Sequence, residues 1–276
     1  MLKTDDQESL GRLINDIRGS TKYKDISPDL ITSIGSQEII KRRTFKEAVK
    51  ATRNKLHQIG GAYLDGRQNY TQWLDELSQA TQSGNKTAML QVCRTIMSHH
   101  ASTRERLPIL DQFYSTILSN LPPIHSIIDI ACGLNPLSIP WMPLESGTAY
   151  YAYDIYQDMI DFLSYFFPLH AVKGYSQQCD IIQSCPTHEV DLAFVLKAIP
   201  CLEQIDKQAG YRLLHTLNAK YLVVSFPVHS LGGRSKGMSA YYEEHFRALI
   251  RHESWEVQRI EFATELVFVI KKTVVR

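Results

Sequence analysis

Residues 122–136 read Pro-Pro-Ile-His-Ser-Ile-Ile-Asp-Ile-Ala-Cys-Gly-Leu-Asn-Pro, and the period of the chain changes across them. Upstream, apolar residues recur at three- and four-residue spacing over 8–18, 36–58, 70–82, 85–100 and 103–120, which predicts helices. Turn signals separate these stretches at Ser27-Pro28, Gly60-Gly61 and Ser83-Gly84-Asn85. Ser102-Thr103-Arg104-Glu105 has the spacing of a capping box and predicts a helix start there. The helix it opens places Leu107, Leu110, Tyr114, Ile117 and Leu121 on one face, and Pro122-Pro123 ends it. His125–Ile130 is then a short run rich in β-branched residues, followed by a small-residue turn.

Downstream, similar runs lie at Thr148–Tyr153, Ala171–Tyr175, Val190–Leu196, Tyr221–Phe226, Trp255–Ile260 and Glu265–Ile270. Helical patterns separate most of them, so the sheet is expected to be mostly parallel with helices on both faces. Glu261–Thr264 is too short for a crossover helix, so the last two runs are expected to form an antiparallel hairpin at the sheet edge. The predicted fold is α/β. It is a class I Rossmann-like methyltransferase sheet of seven strands, the last one antiparallel, behind an N-terminal all-helical domain. The boundary is placed between 1–106 and 107–276.

The 276 residues carry a net charge of +1, but the two parts differ. Residues 1–106 hold 17 basic against 12 acidic residues, and residues 107–276 hold 13 against 17. The excess concentrates in KRRTFKEAVKATRNK, residues 41–55, with seven bases and one acid. Ile39, Ile40, Phe45, Val49 and Leu56 give this run a core side, which predicts an amphipathic helix. A solvated helix face is the plainer reading; a footprint for a polyanion is the functional one. Arg42, Arg43, Lys46, Lys50 and Arg53 are spaced by three and four and are expected to share its polyanion-facing side. Hydrophobic residues make up 44% of the chain, enough for a sizeable core, and no apolar run reaches membrane-spanning length. The start MLKTDDQESLGRL lacks the pattern of a secretory signal, and the five cysteines form no CxxC pair. A cytoplasmic protein without disulfides is expected.

Ligands of an open parallel sheet bind beyond the carboxyl ends of its strands. After the first strand comes Ala131-Cys132-Gly133-Leu134-Asn135-Pro136, with one glycine where a dinucleotide turn has three. After the second stands Asp154, 21 residues beyond Gly133, suited to the hydroxyls of an adenosine ribose or to capping a helix. After the third come Asp180, able to take an adenine amino group, and Ile181, able to pack on the ring. Leu196-Lys197 follows the fourth, beside the place of a reacting group. Asp129, Asp154 and Asp180 close three successive strands, and together they point to S-adenosyl-L-methionine as cofactor. The loop Ser230–Met238 is glycine-rich and basic, either a mobile surface loop or an arm that orders on a phosphate backbone. The ten histidines show no metal-ligand spacing, so no metal is expected, and no Gly-x-Ser-x-Gly elbow is present.

The segments HHASTRERLPILDQFY, DIACGLNPL, LKAIPCLE, SFPVHSLGGRSKGM and TELVFVIKK together resemble the aminoglycoside-resistance 16S rRNA (guanine-1405 N7) methyltransferases. The likeness extends from the Tyr23 region to Lys272. It implies a helical N-terminal domain that docks on the 30S ribosomal subunit, S-adenosyl-L-methionine as methyl donor, 16S rRNA as partner, a monomer and no membrane. It implies a cofactor set of Tyr63, Thr103, Arg104, Glu105, Arg106, Ala131, Gly133, Asp154, Asp180, Ile181 and Leu196, with Arg106 on the methionyl carboxylate. It places Lys197, Glu203, Glu265, Arg234, Lys236 and Met238 near the target nucleotide. Ile205-Asp206 departs from the family, which often carries Gln there. Guanine N7 has a lone pair and no proton to remove, so no general base is needed and Lys197, Glu203 and Glu265 would only position. Cys132 is not needed as a nucleophile. The alternative from another class is a ribosome-binding protein on a methyltransferase fold that has lost catalysis. A small-molecule methyltransferase leaves the basic helical part unexplained.

Overall fold

The computed structural model describes residues 4–66, 68–228 and 237–273. The chain begins with helices α1 (Thr4–Arg18), α2 (Pro28–Lys41) and α3 (Phe45–Leu56), the last running into a π-helical turn at His57–Gly61. Helices α4 (Tyr70–Gln82), α5 (Lys86–Met97), α6 (Ala101–Arg106) and α7 (Leu110–Leu118) follow.

The helix expected over 36–58 is broken. Arg42 is extended, and Thr44 caps α3 by accepting from the Glu47 N–H at 3.3 Å. Thr44 and Glu47 have capping-box spacing, and that local preference outweighs continuity of the apolar stripe. Glu38 is buried at the break, gripped by Arg42 Nε and Lys55 Nζ, both at 2.8 Å. The basic run is therefore divided between two helices, and the Arg42 head is tied to Glu38.

The capping box at 102–105 does not form either. His100 occupies the cap position of α6, and the Thr103 hydroxyl donates back to Met97 O and His100 O at 2.6 and 3.1 Å. Glu105 instead accepts from Lys197 Nζ at 2.8 Å. Pro108, which has no N–H to give, sits in the 3₁₀ turn Leu107–Ile109 that separates α6 from α7.

Seven strands follow: β1 (Ser126–Ile130), β2 (Ala149–Asp154), β3 (Lys173–Gln178), β4 (Val190–Leu196), β5 (Ala219–Pro227), β6 (Glu256–Glu261) and β7 (Glu265–Lys271). Their order is β3-β2-β1-β4-β5-β7-β6. All neighbours from β3 through β5 run parallel, whereas β7 is antiparallel to both β5 and β6. The expected hairpin thus exists, with its second strand inserted beside β5. Central β1 and β4 are buried along almost their whole length, while edge strand β3 alternates.

Helix α8 (Gln157–Phe166) follows β2, the short α9 (Ile199–Leu202) and α10 (Ala209–Thr216) follow β4, and α11 (Met238–Leu249) follows β5. Two apolar clusters sandwich the sheet. One runs from Leu13 and Ile34 through Trp73, Met97 and Phe113 to Tyr150 and Phe162, so the N-terminal helices share their core with one sheet face. The other joins Leu213, Phe246 and Phe268 on the opposite face.

Candidate cofactor and acceptor site

The turn after β1 is shaped by two left-handed residues, Ala131 (φ 50°) and Gly133 (φ 51°). Only glycine suits the second position on steric grounds as well: a Cβ there would lie 2.8 Å from the His100 ring. The Gly133 N–H donates to Asp154 Oδ2 at 2.8 Å, and Ile155 N–H donates to Asp154 Oδ1 at 2.7 Å. Asp154 therefore fixes the ends of β1 and β2 together. Asn135 completes the turn. Its amide donates to Asp129 Oδ2 at 2.9 Å, and its carbonyl accepts from Arg106 Nη1 at 2.8 Å and from the Tyr114 hydroxyl. An acid on one side and a cation on the other dictate the orientation of that amide.

A partly open cavity lies over the carboxyl ends of β1 to β4. Ala131, Ile155, Cys179 and Lys197, each just past one of those strands, form part of its wall. The wall is mainly apolar, with a few buried polar atoms left without partners among the described residues: Asp129 Oδ1, Asp180 Oδ2 and His100 Nδ1. Orphaned buried acceptors signal a ligand that brings donors. Burial raises the Asp129 carboxyl to about 6, against hydrogen bonds from Asn135 and Tyr150. Burial also raises Asp154 and Asp180, each opposed by backbone N–H groups. Burial lowers His100 to about 4, helped by the charges of Arg106 and Lys197, so its imidazole is neutral near pH 7. Among the described residues no cluster of His, Cys, Asp and Glu suits a metal ion.

The structure brings Tyr63, Arg106, Ala131, Asp154, Asp180, Ile181, Leu196 and Lys197 to this cavity. Gly133 stands behind the wall, between Asp154 and His100. Thr103 is buried in the α6 cap, and exposed Arg104 pairs with Asp65. Glu105 reaches the site only through Lys197. Neither Thr103 nor Arg104 lines the cavity. Sequence reasoning missed His100, Ser102, Gly60, Tyr156 and Cys201, which do line it, and Ile205, noted as a departure from the family, lines it too. Gly60 carried a signal: a Cβ there would sit 2.7 Å from the Tyr156 hydroxyl, and the glycine pair was read only as a turn. Cys132 also lines the cavity, and burial pushes its thiol well above the ordinary range, so it is no thiolate.

Beside the cavity lies a buried charge cluster. Glu265, at the start of β7, accepts from Arg106 Nη2 at 2.7 Å, Arg106 Nε at 3.1 Å and the Ser225 hydroxyl at 2.6 Å. Lys197, left-handed at φ 58°, places Nζ 3.4 Å from Glu265 and 2.8 Å from Glu105. Burial works to raise the Glu265 carboxyl, but Arg106 and Lys197 hold it below its ordinary value. Both Arg106 and Glu265 are 0% exposed. Glu265, expected near a target nucleotide, instead has its oxygens turned to Arg106, Ser225 and Lys197. Glu203 pairs with His245 on α11 at 2.7 Å. Met238 opens α11 behind left-handed Gly237. Arg234 and Lys236 lie outside the described residues.

On the helical part, Lys41, Arg42, Arg43, Lys50 and Lys55 line an open depression across the α2–α3 break, with Glu47 the one acid in its wall. Exposed Lys46 lies outside it. Arg53 turns to Asp16, 3.4 Å away, so it does not join Lys46 and Lys50 as a free cation.

A family model described as ribosomal RNA methyltransferase (FmrO) matches residues 19–269. A 16S rRNA (guanine(1405)-N(7))-methyltransferase of Micromonospora rosea is 35% identical over 267 residues, 96% of this chain and 97% of that protein. Its counterpart in Micromonospora echinospora is 36% identical over 258 residues, 93% of this chain and 94% of that protein. The crystal structure of the 16S rRNA methyltransferase RmtF in complex with S-adenosyl-L-homocysteine superposes with a TM-score of 0.82 at 28% identity. It covers 99% of this chain and 100% of that one.

Proposed function

The chain belongs to the ribosomal RNA methyltransferase (FmrO) family, and from that membership we infer how its own residues serve the reaction. It is an enzyme that uses S-adenosyl-L-methionine to methylate N7 of guanine 1405 in 16S rRNA, giving aminoglycoside resistance. The cavity over β1–β4, with its unpartnered acceptors on Asp129 and Asp180, is the observation that carries the assignment to this site.

S-adenosyl-L-methionine supplies a methyl group on a sulfonium sulfur. Guanine N7 attacks with its own lone pair, so the protein's task is orientation and exclusion of water. Asp154 takes the ribose hydroxyls and Asp180 Oδ2 the adenine amino group, with Ile181 and Leu196 against the ring. Arg106 takes the methionyl carboxylate, and Asp129 Oδ1 accepts from the methionyl ammonium. His100, neutral, completes the wall between Gly133 and Tyr63. Lys197, in the cavity wall, and Glu203, six residues further on, orient the guanine.

The substrate in this reading is the assembled 30S subunit, met by a cytoplasmic monomer. Residues 1–106 dock on the RNA through the basic depression and Lys46, Arg234 and Lys236 add contacts nearer the reacting base, and residues 107–276 carry the chemistry with Tyr63, His100 and Arg106 contributed by the helical part. Among the described residues no helix is long and apolar enough to cross a membrane. The test is methyl transfer from labelled cofactor to purified 30S subunits and to free 16S rRNA, with the modified base mapped by chemical cleavage at 7-methylguanine. A single modified guanine at position 1405, in the subunit and not in free RNA, is expected. Equal labelling of free RNA would remove the assembled subunit from this account. Cofactor binding without any transfer would remove the catalytic assignment.

A further inference from the structure

Arg106 has five N–H donors, and the fold uses three of them. Glu265 takes Nε and one hydrogen of Nη2 side-on, and Asn135 takes one hydrogen of Nη1. One hydrogen on each terminal nitrogen is left, and Arg106 borders the cavity. The Phe113 ring beneath the guanidinium, 4.8 Å away, leaves it little freedom to tilt. The partners are themselves held. Ser225 donates to Glu265 Oε1, and Asn135 is fixed by Asp129 and Tyr114.

We propose that Glu265 is a positioning residue that orients Arg106 toward the carboxylate of the cofactor without touching cofactor or RNA itself. The inference rests on the cofactor reading above. A guanidinium gripped side-on by a rigid carboxylate meets an incoming carboxylate with its remaining fork already aligned, so less orientational freedom is lost on binding. Replacing Glu265 by Gln puts an N–H₂ group against one of the Arg106 donors. One grip is lost, and the fork is free to turn away.

Two ligands separate this role from a general structural one. S-adenosyl-L-homocysteine carries the amino-acid carboxylate; 5′-methylthioadenosine carries the same adenosine and lacks it. Calorimetry on the full chain should show Glu265→Gln binding S-adenosyl-L-homocysteine roughly 10- to 100-fold more weakly than wild type. Its affinity for 5′-methylthioadenosine should be unchanged. Should Glu265→Gln fail to fold, Glu265→Asp keeps the charge and withdraws the grip by one methylene. It should show the same selective loss, smaller in size. Equal losses for both ligands would overturn the inference and make Glu265 merely structural. Tighter S-adenosyl-L-homocysteine binding would also overturn it, because Glu265 would then be a competitor for Arg106. If wild type binds neither ligand, the cofactor reading itself falls.

Discussion

Asp154 and Asp180 close neighbouring strands, yet their loads differ. Asp154 accepts backbone N–H bonds from Gly133, Ile155 and Tyr156, whereas Asp180 Oδ2 has no partner among the described residues. Asp180→Asn can keep the bond from Ile182 N–H to Oδ1 and loses only an acceptor for the ligand. It should weaken S-adenosyl-L-homocysteine binding by about tenfold or more and leave the urea midpoint unchanged. Asp154→Ala should lower both affinity and stability, the latter by about 1–3 kcal/mol, because it strands buried N–H groups. Calorimetry and urea titration on the two variants check this contrast. His100 gives a pH signature. Its folded pKa of about 4 lies below the unfolded value of 6.5, so its contribution to stability is complete above pH 6.5 and is lost as pH falls through 4. In His100→Asn the fall in unfolding free energy between pH 6.5 and 4 should be smaller than in wild type by about 2–3 kcal/mol. Parallel urea titrations across that window measure it, and identical pH slopes would show that the imidazole is not held neutral.

Among the elements, the strands were the most legible part of the sequence. SIIDI and VDLAFVL are short, rich in β-branched residues and bounded by turns, and they fold as β1 and β4. The helical half was legible in kind but not in its breaks. Phe45, Val49 and Leu56 continue the apolar spacing of Ile39, and that continuity hid the Thr44 cap. The acids at the strand ends were readable because strand ends are where ligands bind. His100 and Tyr156 were not, since nothing in local spacing says which helix terminus a distant strand turn will face. The α2–α3 break bears on RNA docking. Arg42, Arg53 and Lys55 have acidic partners, so among the described residues the free part of the basic run is Lys41 together with the expected docking residues Arg43, Lys46 and Lys50, all exposed. Reversing Arg43, Lys46 and Lys50 to Glu should weaken 30S binding strongly and reduce the slope of log affinity against log salt by about two. S-adenosyl-L-homocysteine affinity should stay at the wild-type value. Filter binding at several salt concentrations reads the first two, calorimetry the third. An unchanged slope would return the run to a solvated face.

For the whole molecule, the decisive fact is that one apolar cluster spans the N-terminal helices and a sheet face. Shared burial couples the two parts far more strongly than a polar linker would. Heating should therefore give a single calorimetric transition whose calorimetric and van't Hoff enthalpies agree. Two resolved transitions would show that the helical part is thermally independent.

The Arg106–Glu265 pair spans 159 residues of chain. A nascent polypeptide therefore completes the helices, β1 and every acid of the cavity while Arg106 still lacks the carboxylate that pairs with it directly. During that interval the guanidinium has to remain in water, because burying it alone costs several kcal/mol. If Arg106 anchors the cofactor's carboxylate as proposed, that anchor is complete only once β7 has paired with β5. Chains that end before residue 265 would then lack the grip that aligns this guanidinium, however much of the sheet they had built.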